Sequence, residues 1–279
     1  MTTPCSFCNA LLFPNENHNC CHKGKVQLPP SPPYPTELKD LFTTSTPQAR
    51  NFRANIRNYN SSMAFASFGA NIVTPPGRGP YAFRLHGQVY HRSGSLHPPQ
   101  GTTPSFSQLY ILDAGQALQA RMQQPANQQC LPDVMSLLQR VLQETNPYAA
   151  SYKHMQEVEA EQLRLADENG TPPPAVTMHI LRGGDQRRYN DPRQDEIAVV
   201  FSSPDGAPPH NRDIVVHPKD QPPQRISHLS SNIDPMVYTI FYPFGELGWQ
   251  YHMQHLPVYN MPQSTGQTFN SVRSTGICY

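Results

Sequence analysis

Three consecutive prolines at 172–174 divide two hydrophobic patterns, and that change limits the folds open to the chain. Before them, apolar residues recur at spacings of three and four. Residues 132–145 set Val134, Leu137, Leu138, Val141 and Leu142 on one stripe, the pattern of an amphipathic helix. Residues 106–122 do the same with Phe106, Leu109, Tyr110, Leu118 and Met122. Asn146-Pro147 reads as an N-cap with Pro at the first helical position. It opens a third helix that turns Tyr148, Tyr152, Met155 and Val158 inward and stops at Gly170. After the prolines, residues 176–181, 196–202 and 213–217 are short and β-branched. They predict strands of one small sheet, with Asp205-Gly206 a turn signal between the last two. Helices followed by strands predict an α+β fold with segregated helices and sheet rather than an alternating parallel one.

The rest of the chain divides as follows. Residues 1–28 form a Cys/His-rich head, and 29–35 (PPSPPYP) a stiff proline-rich connector. Residues 36–170 are a mainly helical body, 171–250 a small β-rich region and 251–279 a loose polar tail. Within the body, Leu38, Leu41 and Phe42 share one side of a short helical turn. Residues 45–59 predict a continuing helix with Phe52 and Ile56 at i, i+4. Residues 65–73 have no clear period, and 75–79 break the chain. Residues 81–92 alternate large apolar and polar side chains around Gly87, the pattern of a hairpin or a bulged strand. Residues 234–249 are aromatic and carry Pro235 and Pro243.

Of 279 residues, 31 are proline, clustered in a few stretches, which fits a globular body cut by stiff connectors. No apolar run approaches the roughly 20 residues of a membrane span. The first residues lack the charged and apolar regions of a signal peptide. An intracellular protein with no membrane partner is expected.

Four of the six cysteines fall within the first 21 residues. Cys5 and Cys8 are spaced to clamp one metal ion, and tetrahedral zinc then needs two more Cys or His ligands. Cys20, Cys21, His18 and His22 are the candidates. Adjacent side chains diverge in extended backbone, so Cys20 and Cys21 both serve only if the chain turns there; otherwise His18 or His22 replaces one. A reducing compartment argues against disulfides. The alternative is an inert Cys cluster with no metal.

Charge is uneven. Residues 1–100 carry nine Lys and Arg against three Asp and Glu, a surplus of six positive charges. Residues 101–279 carry twelve against seventeen, a deficit of five. Arg outnumbers Lys sixteen to five, and Arg suits bidentate phosphate contacts. Arg50, Arg53, Arg57, Arg78, Arg84 and Arg92 stand among Phe52, Tyr59, Phe65, Phe68, Tyr81, Phe83 and Tyr90. Cations among rings suit single-stranded nucleic acid, with Arg53, Arg57, Arg78 and Arg84 the candidate contacts. The alternative is a core of rings behind a solvated rim of arginines. Gly77-Arg78-Gly79 fits a turn as well as a phosphate approach.

Signatures of catalysis do not occur in the sequence. It has no G-x4-GK[ST] phosphate loop, no His-x-His metal pair and no nucleophile elbow. Catalytic residues are therefore not expected.

Several segments carry a resemblance. "CxxCxALLFPNE…CCxxGKVxLP" in the head is followed by "IRNYNSSMAFASFGA", "GPYAFRLHGQVYHRSGSLHP", "SFSQLYILD" and "NPYAASY". Then come "RRYNDPRQDEIAVVF", "RDIVVHPK" and "DPMVYTIFYPFGELGW". In this order they resemble the amino-terminal region of Helitron transposon proteins, which fuse a rolling-circle Rep nuclease to a superfamily-one helicase. The resemblance implies a DNA partner, single-stranded and in the nucleus, and intact Rep/helicase copies as further partners. In that family both enzymes lie beyond this region, so the chain is expected to be a non-catalytic, truncated part. The alternative function is a protein-interaction or autoregulatory domain without nucleic acid.

Overall fold

The computed structural model describes residues 3–12, 20–26, 32–73, 84–180, 198–203, 214–219 and 222–248. It is an α+β protein whose strand pairings are all antiparallel among the described residues. The Asp205-Gly206 turn, Trp249 and the tail 251–279 lie outside the described residues.

The head is a two-residue-per-strand ribbon, β1 (Thr3–Pro4) paired with β2 (Leu11–Leu12), followed by a turn over 20–25. Among its described residues the buried side chains are Cys5, Leu12 and Cys21.

The body begins with α1 (Thr36–Thr43), α2 (Pro47–Ala54) and α3 (Ile56–Met63). The single helix predicted over 45–59 is two helices. Asn55 leaves helical dihedrals and hands the chain from the end of α2 to the start of α3, which re-aims Tyr59 and Met63 into the core. Thr46 caps α2 by accepting the Ala49 N–H at 3.2 Å. The helix predicted over 106–122 also divides. A 3-10 turn at Phe106–Tyr110 precedes α4 (Ala114–Met122), because Asp113 accepts the Gly115 and Gln116 N–H groups and restarts the helix. Helices α5 (Pro132–Thr145) and α6 (Pro147–Asn169) follow the predicted bounds. Asn146 caps α6, and Gly170 closes it at φ +61°, where a β-carbon would strain the backbone.

Strands form two small sheets. The segment without a clear period is β3 (Ser67–Val73), paired with β4 (Arg84–Ser93). Residues 84–93 are therefore one strand, and its hairpin partner is β3. Gly69 pairs with Tyr90 but Asn71 pairs with His86, so four steps on β4 match two on β3. The extra residues lie around Gly87, the bulge the sequence suggested. A three-residue strand, β8 (Gln224–Ile226), joins the other edge of β4. The second sheet holds β5 (Ala175–Ile180) between β6 (Ala198–Ser203) and β7 (Ile214–Val216). The predicted strands do form one small sheet. However, β6 and β7 are not neighbours, so the turn signal between them does not make a hairpin.

One apolar cluster joins helices, both sheets and the aromatic segment after Asn232, running from Leu38 to Ile240. Leu138, Val141 and Leu142 are buried in it, and Leu137 packs half-buried at its edge. Phe65 is its hub, with ring centroids 4.4 Å from Tyr110, 5.5 Å from Tyr148 and 5.8 Å from Tyr152. Buried tyrosines need partners for their hydroxyls. Tyr110 donates to the Met63 carbonyl at 2.6 Å, and Tyr148 to Asn232 Oδ1 at 2.7 Å. Residues 233–241 form α7 (Ile233–Val237) and a 3-10 turn, and the Met236 carbonyl accepts the Phe65 and Ala66 N–H groups. Among the described residues no helix is long and apolar enough to cross a membrane.

Candidate functional site

The head brings Cys5, Cys8, Cys20 and Cys21 together, with all four Sγ atoms within 4.8 Å of one another. The pairs Cys5–Cys21 and Cys8–Cys20 stand at 3.8 and 3.5 Å. Zinc–sulfur bonds of about 2.3 Å in a tetrahedron set Sγ atoms about 3.8 Å apart, so the spacing fits one ion. His18 lies outside the described residues.

Local backbone explains the convergence. After Cys8 the chain reverses at Asn9, φ +59°, a region Asn tolerates better than most residues. The Cys5 N–H donates to the Ala10 carbonyl at 2.8 Å and the Asn9 N–H to the Cys5 carbonyl at 2.9 Å, closing the first turn. After Cys21, His22, Lys23 and Gly24 all take positive φ, +48°, +57° and +81°. Residues 20–25 form a turn, and both adjacent cysteines, Cys20 and Cys21, lie in it with their sulfurs beside those of Cys5 and Cys8. The Gly24 N–H donates to Cys21 Sγ at 3.2 Å, a contact that favours thiolate. Burial pushes the Cys20 thiol far up, and the neighbouring Cys5 and Cys8 thiols add to the rise. Burial raises Cys21 too, opposed by the Gly24 N–H. Four crowded sulfurs resist ionising against one another, and a divalent cation at their centre reverses that preference. The cluster can bind a metal ion.

The arginines named as nucleic-acid contacts have different surroundings. Arg53 donates from Nη1 to the carbonyls of Leu41, Phe42 and Thr44 at 2.9, 3.2 and 2.8 Å. It closes the C-terminal end of α1, so its geometry is that of a helix cap. Arg57 is exposed on α3 and forms no ion pair among the described residues. Arg78 lies outside the described residues. Arg84 is the first residue of β4, and its side chain lies outside them as well. Of the interleaved rings, Phe52, Tyr59 and Phe65 are fully buried, whereas Phe68 is 59% exposed.

The interleaved set includes Arg92 and Tyr90, but nothing in the sequence signals that Arg225 joins them. The guanidinium carbons of Arg92 and Arg225 lie 4.6 and 5.5 Å from the centroid of the Tyr90 ring. Arg225 sits in a three-residue strand, too short for a period, more than a hundred positions from its partners. Elsewhere, His97 Nε2 meets Glu159 Oε2 at 2.6 Å. Arg121, fully buried, donates to the Ser62 carbonyl at 3.0 Å and to Gln139 Oε1 at 2.5 Å, bracing α4 against α3 and α5.

Comparison with known proteins identifies no relative: no family model matches the chain, and no curated protein matches it.

Proposed function

We propose that this chain is the non-catalytic, DNA-holding front of a Helitron-type transposon protein. It is built on one structural Zn²⁺ held by Cys5, Cys8, Cys20 and Cys21, and it positions single-stranded DNA in the nucleus for a Rep nuclease and helicase. The observation that carries the reading is the four-sulfur cluster. Residues in left-handed backbone cost on the order of 1 kcal/mol or more each, and His22 and Lys23 both stand there. The three buried side chains among the head's described residues are a small counterweight. An ion bound to four thiolates supplies the missing stabilisation, as it does in other short Cys-rich modules. All-thiolate ligation without an open position is the pattern of a structural site, and it selects zinc over hard cations.

The DNA part of the reading is supported by the ordered sequence segments and by the six-charge surplus of residues 1–100. The ion pairs of the described residues also fit. Arg140 and Arg164 are spent on carboxylates, while Arg57 is not.

The test is direct. The full chain, purified under reducing conditions, should hold about one zinc, and Cys5→Ser with Cys8→Ser should abolish it. Affinity for single-stranded DNA should fall steeply with salt. Metal analysis without stoichiometric zinc overturns the metal assignment. A chain that binds zinc but no DNA supports the protein-interaction alternative.

A further inference from the structure

We infer that the face of the β3–β4–β8 sheet bearing Tyr90, Arg92 and Arg225, exposed at both arginines among the described residues, is the seat of single-stranded DNA. The inference rests on the DNA-holding reading and gives it a location.

Register settles which side chains share this face. Arg92 pairs with Arg225 across β4 and β8 and with Ser67 across β3 and β4. Tyr90, two positions from Arg92, lies on the same side, opposite Gly69. His91 and Ile226 point the other way, and Ile226 is buried against the core. That side packs on the core at β8, while Phe68, paired with His91 at its β3 edge, stands exposed; the opposite side carries the cations. Arg92 and Arg225 are exposed and Tyr90 is half-buried.

Three features make this a built surface rather than scattered charge. First, Gly69 makes room for the Tyr90 ring: a β-carbon there would run into it. The ring therefore lies down on the strand instead of standing off it. Second, both guanidiniums rest by that ring, at 4.6 and 5.5 Å, so they are held in place before any ligand arrives. Third, neither forms an ion pair among the described residues, unlike Arg140 and Arg164. Two unpaired cations side by side repel each other, and a ligand with repeated negative charge relieves that repulsion. Planar guanidiniums also offer flat surfaces to bases and forked donors to phosphates. A single strand, with its bases unpaired, can use both. A short sheet face has no helix to enter the major groove of a duplex. Tyr90 acts as a positioning residue, Arg92 and Arg225 as the contacts.

The experiment uses the full chain, zinc-loaded, with fluorescence anisotropy of a labelled oligothymidine over a salt series. Arg92→Glu with Arg225→Glu should weaken binding by roughly 30-fold or more and flatten the salt slope by about 1.4, two phosphates at about 0.7 each. Tyr90→Ala, which removes the ring that holds both guanidiniums, should weaken it roughly 5- to 30-fold, and Tyr90→Phe, which keeps the ring, should restore it. Lys39→Glu with Lys153→Glu, exposed on α1 and α6, makes the same change in net charge and should cost only a few-fold. Circular dichroism verifies folding, and Arg92→Gln with Arg225→Gln replaces the Glu pair if that pair unfolds. Unchanged binding by the arginine pair, or equal loss in the lysine control, overturns the seat while leaving the DNA reading intact. Equal affinity for a duplex of the same sequence overturns the single-stranded assignment. A wild-type chain that binds no oligonucleotide overturns the DNA reading and the seat together.

Discussion

Arg53 and Arg57 look interchangeable in the sequence, four positions apart in a basic, aromatic stretch, yet the fold gives them different surroundings. The Asn55 break puts Arg53 at the end of α2, where its guanidinium closes three carbonyls at the end of α1. Arg57 lies one element later and faces solvent. Arg53→Ala should lower stability by about 1 kcal/mol, a charged but exposed cap lost, with little change in DNA affinity. Arg57→Ala should leave stability within about 0.5 kcal/mol. Paired thermal melts and anisotropy titrations separate the two, and a DNA defect in folded Arg53→Ala would contradict this division. His91 gives a second prediction at this scale. Burial holds its imidazole below the usual range, against a weaker opposing pull from Asp234. The unfolded chain therefore takes up a proton before the folded one does. The stability from neutral His91 is full above the ordinary histidine value of about 6.5 and is lost as pH falls from there through its lowered value in the fold. Urea midpoints should drop between about pH 7.5 and pH 5.5, and the drop should be smaller in His91→Gln. Equal drops in both proteins would remove His91 from the account.

At the scale of elements, legibility followed locality. Helices α5 and α6 showed their bounds because the signals sit next to the residues they act on: proline at each first position, Asn146 between them, Gly170 after them. Strands β5, β6 and β7 were visible as β-branched runs, but their order was not, since pairing depends on residues far apart in sequence. Strand β3 hid because its run S-F-G-A-N includes Gly69, which serves Tyr90 on the next strand rather than any local preference. The division of 106–122 was the exception: Asp113 before Ala-Gly is a readable cap, outweighed by the apolar stripe spanning it. The Asn146 cap has a nonlocal part as well. Its Oδ1 accepts the Tyr148 N–H at 3.0 Å while its Nδ2 donates to the Tyr242 carbonyl at 3.2 Å, tying the start of α6 to the aromatic segment. Asn146→Ala should therefore cost about 2 kcal/mol, the upper end for an N-cap. Gly170→Ala, which forces a β-carbon into left-handed backbone, should cost about 1 kcal/mol. Denaturant melts read both; a smaller loss for Asn146→Ala than for Gly170→Ala would show that the tie to Tyr242 contributes nothing.

Across the whole molecule, the described residues pack into two separate sets of buried side chains. The head's set is Cys5, Leu12 and Cys21, joined at its edge by Cys20. The body's set runs from Leu38 to Ile240 and contains none of them. The sequence showed the head's four sulfurs as candidates but not that adjacent Cys20 and Cys21 both face inward. That depends on the turn over residues 20–25, of which the sequence marks only Gly24. Because the sets are separate, metal and core should report on different parts of the chain. Adding a strong chelator under reducing conditions should expose the head, since structural zinc supplies roughly 10 kcal/mol or more to modules of this kind. Protease should then cut within residues 1–26, while the far-ultraviolet dichroism and the main thermal transition, both set by α1–α7 and the two sheets, stay where they were. Lowering pH should release the metal in the same way, because each thiolate ligand regains its proton. Phe65→Ala should do the opposite. It empties the centre of the Tyr110–Tyr148–Tyr152 cluster, costs about 3–5 kcal/mol and lowers the main transition, yet leaves zinc content at about one per chain. If chelation lowers the main transition as far as Phe65→Ala does, the head and body form one cooperative unit. The Cys cluster would then brace the whole fold rather than the head alone.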